Sequence, residues 1–436
     1  METHRIDQAI SASKEQFYQD LAQLIKIKSV AGPAKTGAPF GEGPRAALDL
    51  IVQLGDKYGF KTKIVNDAMA YVQWGEDNDH YLGVIDHLDV VPVSGNKWQS
   101  DPWTLTKRDN RFYARGILDN KGPAFATLWG MKLLKELGFK PKRTIRLVFG
   151  SDEETGSRDV GLYLQAEEPP DFGWTADCKF PVVYGERGIV NFSIHTEITD
   201  GSLDTISDFS GDMRMDHVPD TLTVQVDGQK VTATGKSVPS NAPELGVNAI
   251  TEWAKQMCAA NGLSGQLQDY CRWLVTDLAD QHYGEGLNMA FSDQDSGKLI
   301  MTPTAIVKEK TGMRIDLAFR YPVSFTEEQV KQRLAENLPA NSKISVIRSI
   351  PSVMHDPHDP FIKKLSEVYT EVTGKDGTPV TTTGATYSRV MPNIIAFGPS
   401  FPGQKGIAHK ENEWMNEQDL LLNMKIYMLA LLKIAA

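Results

Sequence analysis

The chain reads as an α/β protein with a largely parallel sheet, interrupted by an inserted α+β unit. Three observations lead there. Up to about residue 187, apolar strand-like runs alternate with helix-like runs, the pattern of a parallel sheet layered with helices. After Gly188 the runs turn β-rich and alternating, at 189–196, 221–226, 230–234, 302–309 and 313–321. Near residue 353 the first texture returns. The expected organisation is therefore 1–187 and 353–436 as the two parts of one domain, with 188–352 inserted between them.

Each element has a local cause. Residues 6–27 place Phe17, Leu21 and Leu24 on one helical face and Glu15, Gln19 and Gln23 on the other, which predicts an amphipathic helix. Strands are expected at 61–65, 81–86 and 144–149. Pro123 suits the first turn of a helix that runs to Leu137 and is closed by Gly138. In the inserted segment, helices are expected at 244–260, 264–281 and 326–338, lying on one side of an open-faced antiparallel sheet. A helix at about 358–373 and a last helix from 416 complete the chain, with Asn416 as its cap and Asp419 in its first turn.

Composition excludes several classes. A chain of 436 residues is long for one core, and 41% hydrophobic with 23% charged residues is ordinary for a globular protein. A formal net charge of −10 opposes nucleic acid or an anionic membrane as partner. Cys178, Cys258 and Cys271 are too few and too scattered for a disulfide framework. The apolar stretch from Ile426 to Ala436 is too short to span a bilayer. No secretory signal pattern opens the chain, so a cytoplasmic location is expected.

The chemistry gathers where buried-looking strands end. His87-Leu88-Asp89 follows one apolar run, and Gly150-Ser151-Asp152-Glu153-Glu154-Thr155-Gly156 follows another. Asp119 just precedes a helix, Asp177 comes later, and His409 lies in a polar loop before the last helix. Taken singly these residues read as turn, helix-flanking or surface positions. Together, two imidazoles and several carboxylates suit divalent metal ions with an adjacent carboxylate base. His87 and Asp89 leave the same face of an extended segment, so Asp89 can orient a ligating His87. Glu153 and Glu154, if extended, point in different directions, which suits one as ligand and the other as base. Asp119 has two oxygens with which to bridge two ions.

The runs Asp86 to Pro92, Arg115 to Gly122 and Gly150 to Gly156, with Tyr387 to Asn393, Ala396-Phe397-Gly398 and His409 to Glu413, resemble the signatures of the zinc-dependent aminoacylase/carnosinase metallopeptidase family. The match covers essentially the whole chain and is closest to the bacterial Xaa-His (carnosinase-like) dipeptidases. The resemblance implies a zinc-peptidase-like catalytic domain with an inserted lid. It implies that His87, Asp119 and Asp177 hold one zinc ion and that Asp119, Glu154 and His409 hold the other; because carboxylates dominate that set, manganese or cobalt are the expected substitutes. It also implies a cis peptide after Asp119, Asp89 orienting His87, Glu153 as general base, and Arg320 gripping the substrate carboxylate. An enlarged lid implies a monomer acting on small peptides.

Three positions depart from the family pattern. Gly235-Lys236-Ser237-Val238-Pro239 stands where the family's lid has Gly-Lys-Ser-Ala-His, so Pro239 replaces a histidine that stabilises the oxyanion. Asp216-His217-Val218-Pro219 replaces Asn-Met-Val-Pro, and Gly384-Ala385-Thr386 replaces Gly-Gly-Thr. His217 is the candidate substitute donor. The leading expectation is a two-metal dipeptidase acting on small unblocked dipeptides. The alternatives are an amidohydrolase that removes an acyl group from an amino acid, and a metal-binding protein with catalysis weakened by Pro239.

Overall fold

A computed structural model describes residues 3–93, 95, 97–260 and 262–436. They form two compact units: Met1–Tyr184, His355–Val380 and Ala385–Ala436 make the first, and Gly185–Met354 with Thr381–Gly384 the second. The short return at 381–384 has no counterpart in the expected boundaries.

The first unit is built on a mixed sheet with strands in the order Lys61–Val65, Met69–Trp74, Thr144–Gly150, Tyr81–His87, Phe172–Thr175, Ile394–Phe397 and Val182–Glu186. The four central strands, from Thr144–Gly150 to Ile394–Phe397, run parallel. The flanks are antiparallel. Both faces of the sheet are buried, which explains the continuous apolar runs. Ala70, Val72, Leu82, Val84, Ile145 and Leu147 join the larger core beneath the helices Thr3–Lys26, Lys121–Glu136 and Glu417–Ala435. Met69, Tyr71, Ile85 and Val148 join a smaller core with Tyr163 and Tyr387 on the opposite face. The helix Lys121–Glu136 is buried almost all round, as an apolar helix in a large core should be.

Register positions the chemistry. In the parallel pair Tyr81–His87 and Thr144–Gly150, His87 lies level with Gly150. The carboxyl ends of two neighbouring strands thus finish side by side, one on His87 and the other on the acidic turn. Thr175 ends the next strand, two residues before Asp177. Functional groups gather at such carboxyl ends because the loops that leave them open outward from the sheet.

Two local expectations change. Glu153 and Glu154 are not extended but open a 3₁₀ turn, Glu153–Thr155. With about three residues per turn, neighbours there still diverge by roughly 120°. Asn416 occupies the cap position of the last helix, but its side chain accepts no hydrogen bond from the first turn. It donates instead to the Asp419 carboxylate at 2.7 Å.

The second unit holds a four-stranded antiparallel sheet in the order Ile300–Glu309, Gly312–Tyr321, Gly188–Glu197 and Ser342–Ile350. A three-stranded sheet, Ile206–Gly211, Thr221–Val226 and Gln229–Thr234, adds to it. Val190, Phe192, Ile194, Ile315, Leu317 and Phe319 meet Trp253, Leu267 and Val330 from its helices in one core. Two of those helices are shorter than expected, at Ala249–Ala260 and Glu327–Glu336, while Gly265–Trp273 continues as a π-helical turn, Leu274–Leu278, close to the expected 264–281. The helix Glu327–Glu336 is closed at its start by a Thr326–Gln329 capping box, in which each side chain satisfies the other residue's backbone N–H.

Candidate metal centre

Asp119 lies between two imidazoles in the first unit. Its Oδ1 is 3.0 Å from His87 Nε2, and its Oδ2 is 3.0 Å from His409 Nε2. His87 Nε2 also lies 3.5 Å from Asp177 Oδ1. On the other side, His409 Nε2 is 3.0 Å from Glu154 Oε2. Two groups result, His87–Asp119–Asp177 and Asp119–Glu154–His409, and within each the donor atoms lie no more than 4.8 Å apart. Asp119 is common to both. The Asp119–Asn120 peptide is cis.

Electrostatics show what these donors lack. Burial, then the Asp177 charge, pushes the Glu153 carboxyl well above the ordinary carboxylate range. Burial, then the Asp119 charge, raises Glu154. Asp177 is pushed up to about 8, mainly by burial, with Asp119 adding to the effect. Burial alone would lower the pKa of His409, but hydrogen bonds with Asp119 and Glu154 carry it up to about 11. Burial likewise opposes the charged form of His87, yet the Asp177 charge and the bonds to Asp119 and Asp177 raise it well above its usual value. Four carboxylates crowded among two imidazoles call for positive charge at the centre, and a divalent cation supplies it. Imidazole nitrogens with carboxylate oxygens are a donor set that fits zinc, with manganese or cobalt as substitutes.

Around the donors lies a layer of buried acceptors. Asp89 is fully buried. His87 Nδ1 is 3.0 Å from the Asp89 main-chain carbonyl oxygen and 3.4 Å from the carboxylate. The carboxylate accepts the N–H groups of Glu153 at 3.2 Å and Glu154 at 3.0 Å. Asp89 therefore touches both the imidazole and the turn that carries the acidic pair. Asp159 accepts the N–H groups of Ser151 and Asp152 and the Tyr387 hydroxyl. The Tyr387 ring stands edge-on to His87, with centroids 6.3 Å apart. Glu413 accepts from Arg115, Gly116, Leu118 and Asp119. Sequence reasoning missed Asp159 and Glu413 as structural anchors, because nothing local marks a carboxylate that serves a distant backbone. Their one signal was that each lies in or near an acidic or polar run already singled out.

Cys178 is half-buried beside Asp177 and forms no disulfide. A surface cavity of about 850 Å³ lined by His358, Lys363, Glu367 and Lys433 includes none of the donors. The two remaining candidates belong to the second unit. Arg320, half-buried, is on the strand Gly312–Tyr321, opposite Ile189 and Ile300. His217 is directly opposite Pro239 in a short antiparallel bridge, with its Nδ1 2.9 Å from the Asp216 carboxylate. No helix among the described residues is long and apolar enough to cross a membrane.

Comparison with known proteins identifies the family. Residues 83–433 match the model of peptidase family M20/M25/M40. A relative from Bacillus subtilis (strain 168), named "Putative dipeptidase YtjP", is 30% identical, with 97% of this chain and 98% of the relative covered. Human carnosine dipeptidase 1 shares the fold with a TM-score of 0.63 at 15% identity, over 100% of this chain and 99% of the other. Aminoacylhistidine dipeptidase from Vibrio alginolyticus does so with a TM-score of 0.57 at 15% identity, over 96% of each chain. The chain belongs to peptidase family M20/M25/M40 and is a metallopeptidase.

Proposed function

We propose that this metallopeptidase is a two-metal dipeptidase that hydrolyses small unblocked dipeptides. The observation that carries the reading is Asp119, each of whose carboxylate oxygens faces a different imidazole in a different donor group. Two relatives, each named "Putative dipeptidase", support the substrate class. In this reading His87, Asp119 and Asp177 would hold one ion, and Asp119, Glu154 and His409 the other. The chemistry that such ions would supply is polarisation of the scissile carbonyl and a lowered pKa for water.

This chain's residues do the rest. Glu153 is next to a ligand in sequence but outside both donor groups, so its carboxylate stays available. It takes the proton from the attacking water and delivers it to the departing amine, which leaves neutral. Asp89 fixes the Glu153–Glu154 turn by holding both backbone N–H groups. Arg320 recognises the free C-terminal carboxylate, for which a planar guanidinium offers two parallel donors. His217 supplies an oxyanion donor in place of the side chain that Pro239 lacks.

The test is a panel of free dipeptides, the same peptides amidated at the C-terminus, and matched N-acyl amino acids, each assayed with zinc-loaded protein. Hydrolysis of free dipeptides with loss of rate on amidation is expected. Preference for the N-acyl amino acids would make the protein a deacylase, and a zinc-loaded protein inert towards all three would make it a metal-binding protein.

A further inference from the structure

Glu413 is fully buried, although it lies only four residues beyond the half-exposed His409. Its two oxygens each take two donors. Oε2 accepts from Arg115 Nη1 at 2.8 Å and from the Gly116 N–H at 3.2 Å. Oε1 accepts from the Leu118 N–H at 2.9 Å and the Asp119 N–H at 3.1 Å. A carboxylate has about four acceptor positions, and here every one is used. The turn from Arg115 to Asp119 is thus wrapped around a single anion, with Gly116 at φ +85° allowing the chain to curl.

The consequence concerns the two donor groups differently. His87 ends a strand that is buried along its whole length, and Asp177 follows another core strand. Their positions are set by the sheet. His409 has a side chain 54% exposed and stands in a polar loop. That loop is held by Asn412, which bonds the backbone at Lys97 and Gln99, and by Glu413. Beside the backbone pairing of Trp414–Asn416 with Arg111–Tyr113, the Glu413 side chain is therefore a direct tie between the loop that presents His409 and the turn that presents Asp119, across 294 positions of sequence.

Resting on the two-ion reading above, we propose that Glu413 is a positioning residue that sets the Asp119–His409 geometry and so controls loading of the Asp119–Glu154–His409 group. The His87–Asp119–Asp177 group, framed by core strands, depends on it far less. A neutral amide at this position would turn an NH₂ toward backbone N–H groups that need an acceptor. The turn and the His409 loop would part, so the pairing of Asp119 Oδ2 with His409 would loosen most, while Asp119 Oδ1 would still face the strand-set His87 and Asp177.

The experiment is a titration of metal-free full-length protein with zinc by calorimetry and with cobalt by visible absorption, for wild type, Glu413→Gln, Glu413→Asp and His409→Ala. His409→Ala defines the spectrum of the protein with one group disabled. In Glu413→Gln, one ion should bind nearly as in wild type and the other about 10–100-fold more weakly, the usual cost of losing a partner behind a ligand. Its cobalt spectrum at low occupancy should then match that of His409→Ala. Glu413→Asp keeps the charge but is one methylene shorter, and should recover part of the lost affinity. If circular dichroism shows that Glu413→Gln does not fold, Glu413→Asp carries the test by the same selective loss. Two ions bound with wild-type affinity by a folded variant, or equal loss of both, would overturn the proposal. A wild-type protein that binds no more than one ion would instead overturn the two-ion reading itself.

Discussion

The two units hold their candidate residues in contrasting ways. In the first, His87 and Asp89 are fully buried and the acidic turn is fixed by hydrogen bonds to Asp89 and Asp159, with the half-exposed His409 as the exception among the donors. In the second, Arg320 is half-buried on a strand and His217 has a side chain 32% exposed in a two-stretch bridge. A site made of saturated buried groups has little room to adjust, because each displaced acceptor leaves a donor unpaired at a cost of about 1–3 kcal/mol. Groups that keep contact with water lose less when moved or replaced. The lesson is one of division: the first unit should govern whether chemistry occurs, and the second which molecules undergo it and how fast.

The sharpest way to break this division is within the acidic pair. Glu153→Gln should lower kcat by about 10²–10⁴ with metal content unchanged, as loss of a general base does. Glu154→Ala should lower metal content first, since Glu154 belongs to a donor group and Glu153 does not. Metal analysis alongside kinetics separates the two, and a Glu153→Gln enzyme with near-normal turnover would remove the base from the mechanism. Arg320→Ala tests the other side. Loss of a hydrogen-bonded charge pair is worth about 1.5–3 kcal/mol, so KM for free dipeptides should rise by roughly 10–100-fold, with a smaller change in kcat. The same variant should barely alter rates on amidated peptides. A fall in kcat with KM unchanged would place Arg320 among the transition-state contacts and blur the proposed division.

Why the first unit was the more legible follows from the same physics. Parallel strands buried on both faces read as unbroken apolar runs, so Asp152, Glu153 and Glu154 stand out directly after Ile145 to Phe149. What the pattern could not give was register. That His87 lies level with Gly150 depends on pairing between strands about sixty positions apart, and no local residue encodes it. The antiparallel direction of the flanks, including the expected strand 61–65, was hidden for the same reason. In the second unit, the strand Ser342–Ile350 escaped notice because Val346, Ile347 and most of its other side chains are exposed, so it lacks the alternation that marks a half-buried strand. Nothing in the sequence marked Glu413 or Asp159 as buried, since burial of a carboxylate is decided by donors that arrive from elsewhere in the chain.

The smallest expected effect falls on the most unusual feature, the pair His217 and Pro239. Val218 donates its N–H to the Val238 carbonyl at 2.8 Å, and Ser240 donates to the Asp216 carbonyl at 2.8 Å. These two bonds flank the facing positions 217 and 239, which exchange none between themselves. Proline therefore sacrifices no ladder bond at 239. Facing side chains at such a pair leave the same side of the ribbon with Cβ atoms about 4.5–5.5 Å apart. An imidazole on 217 can thus reach much of the space that a side chain on 239 would fill. Loss of a fully enclosed oxyanion donor costs about 10²–10³ in rate, and a donor that keeps contact with water should cost less. His217→Ala is accordingly expected to lower kcat about tenfold, with metal content and KM nearly unchanged. Pro239→His alone should give little, because the place is already served. In the double variant, Pro239→His should restore part of what His217→Ala removes, as one donor standing in for the other across the bridge. An unchanged kcat in His217→Ala would show that the second unit contributes no donor from this pair, and would leave it a role in substrate recognition alone.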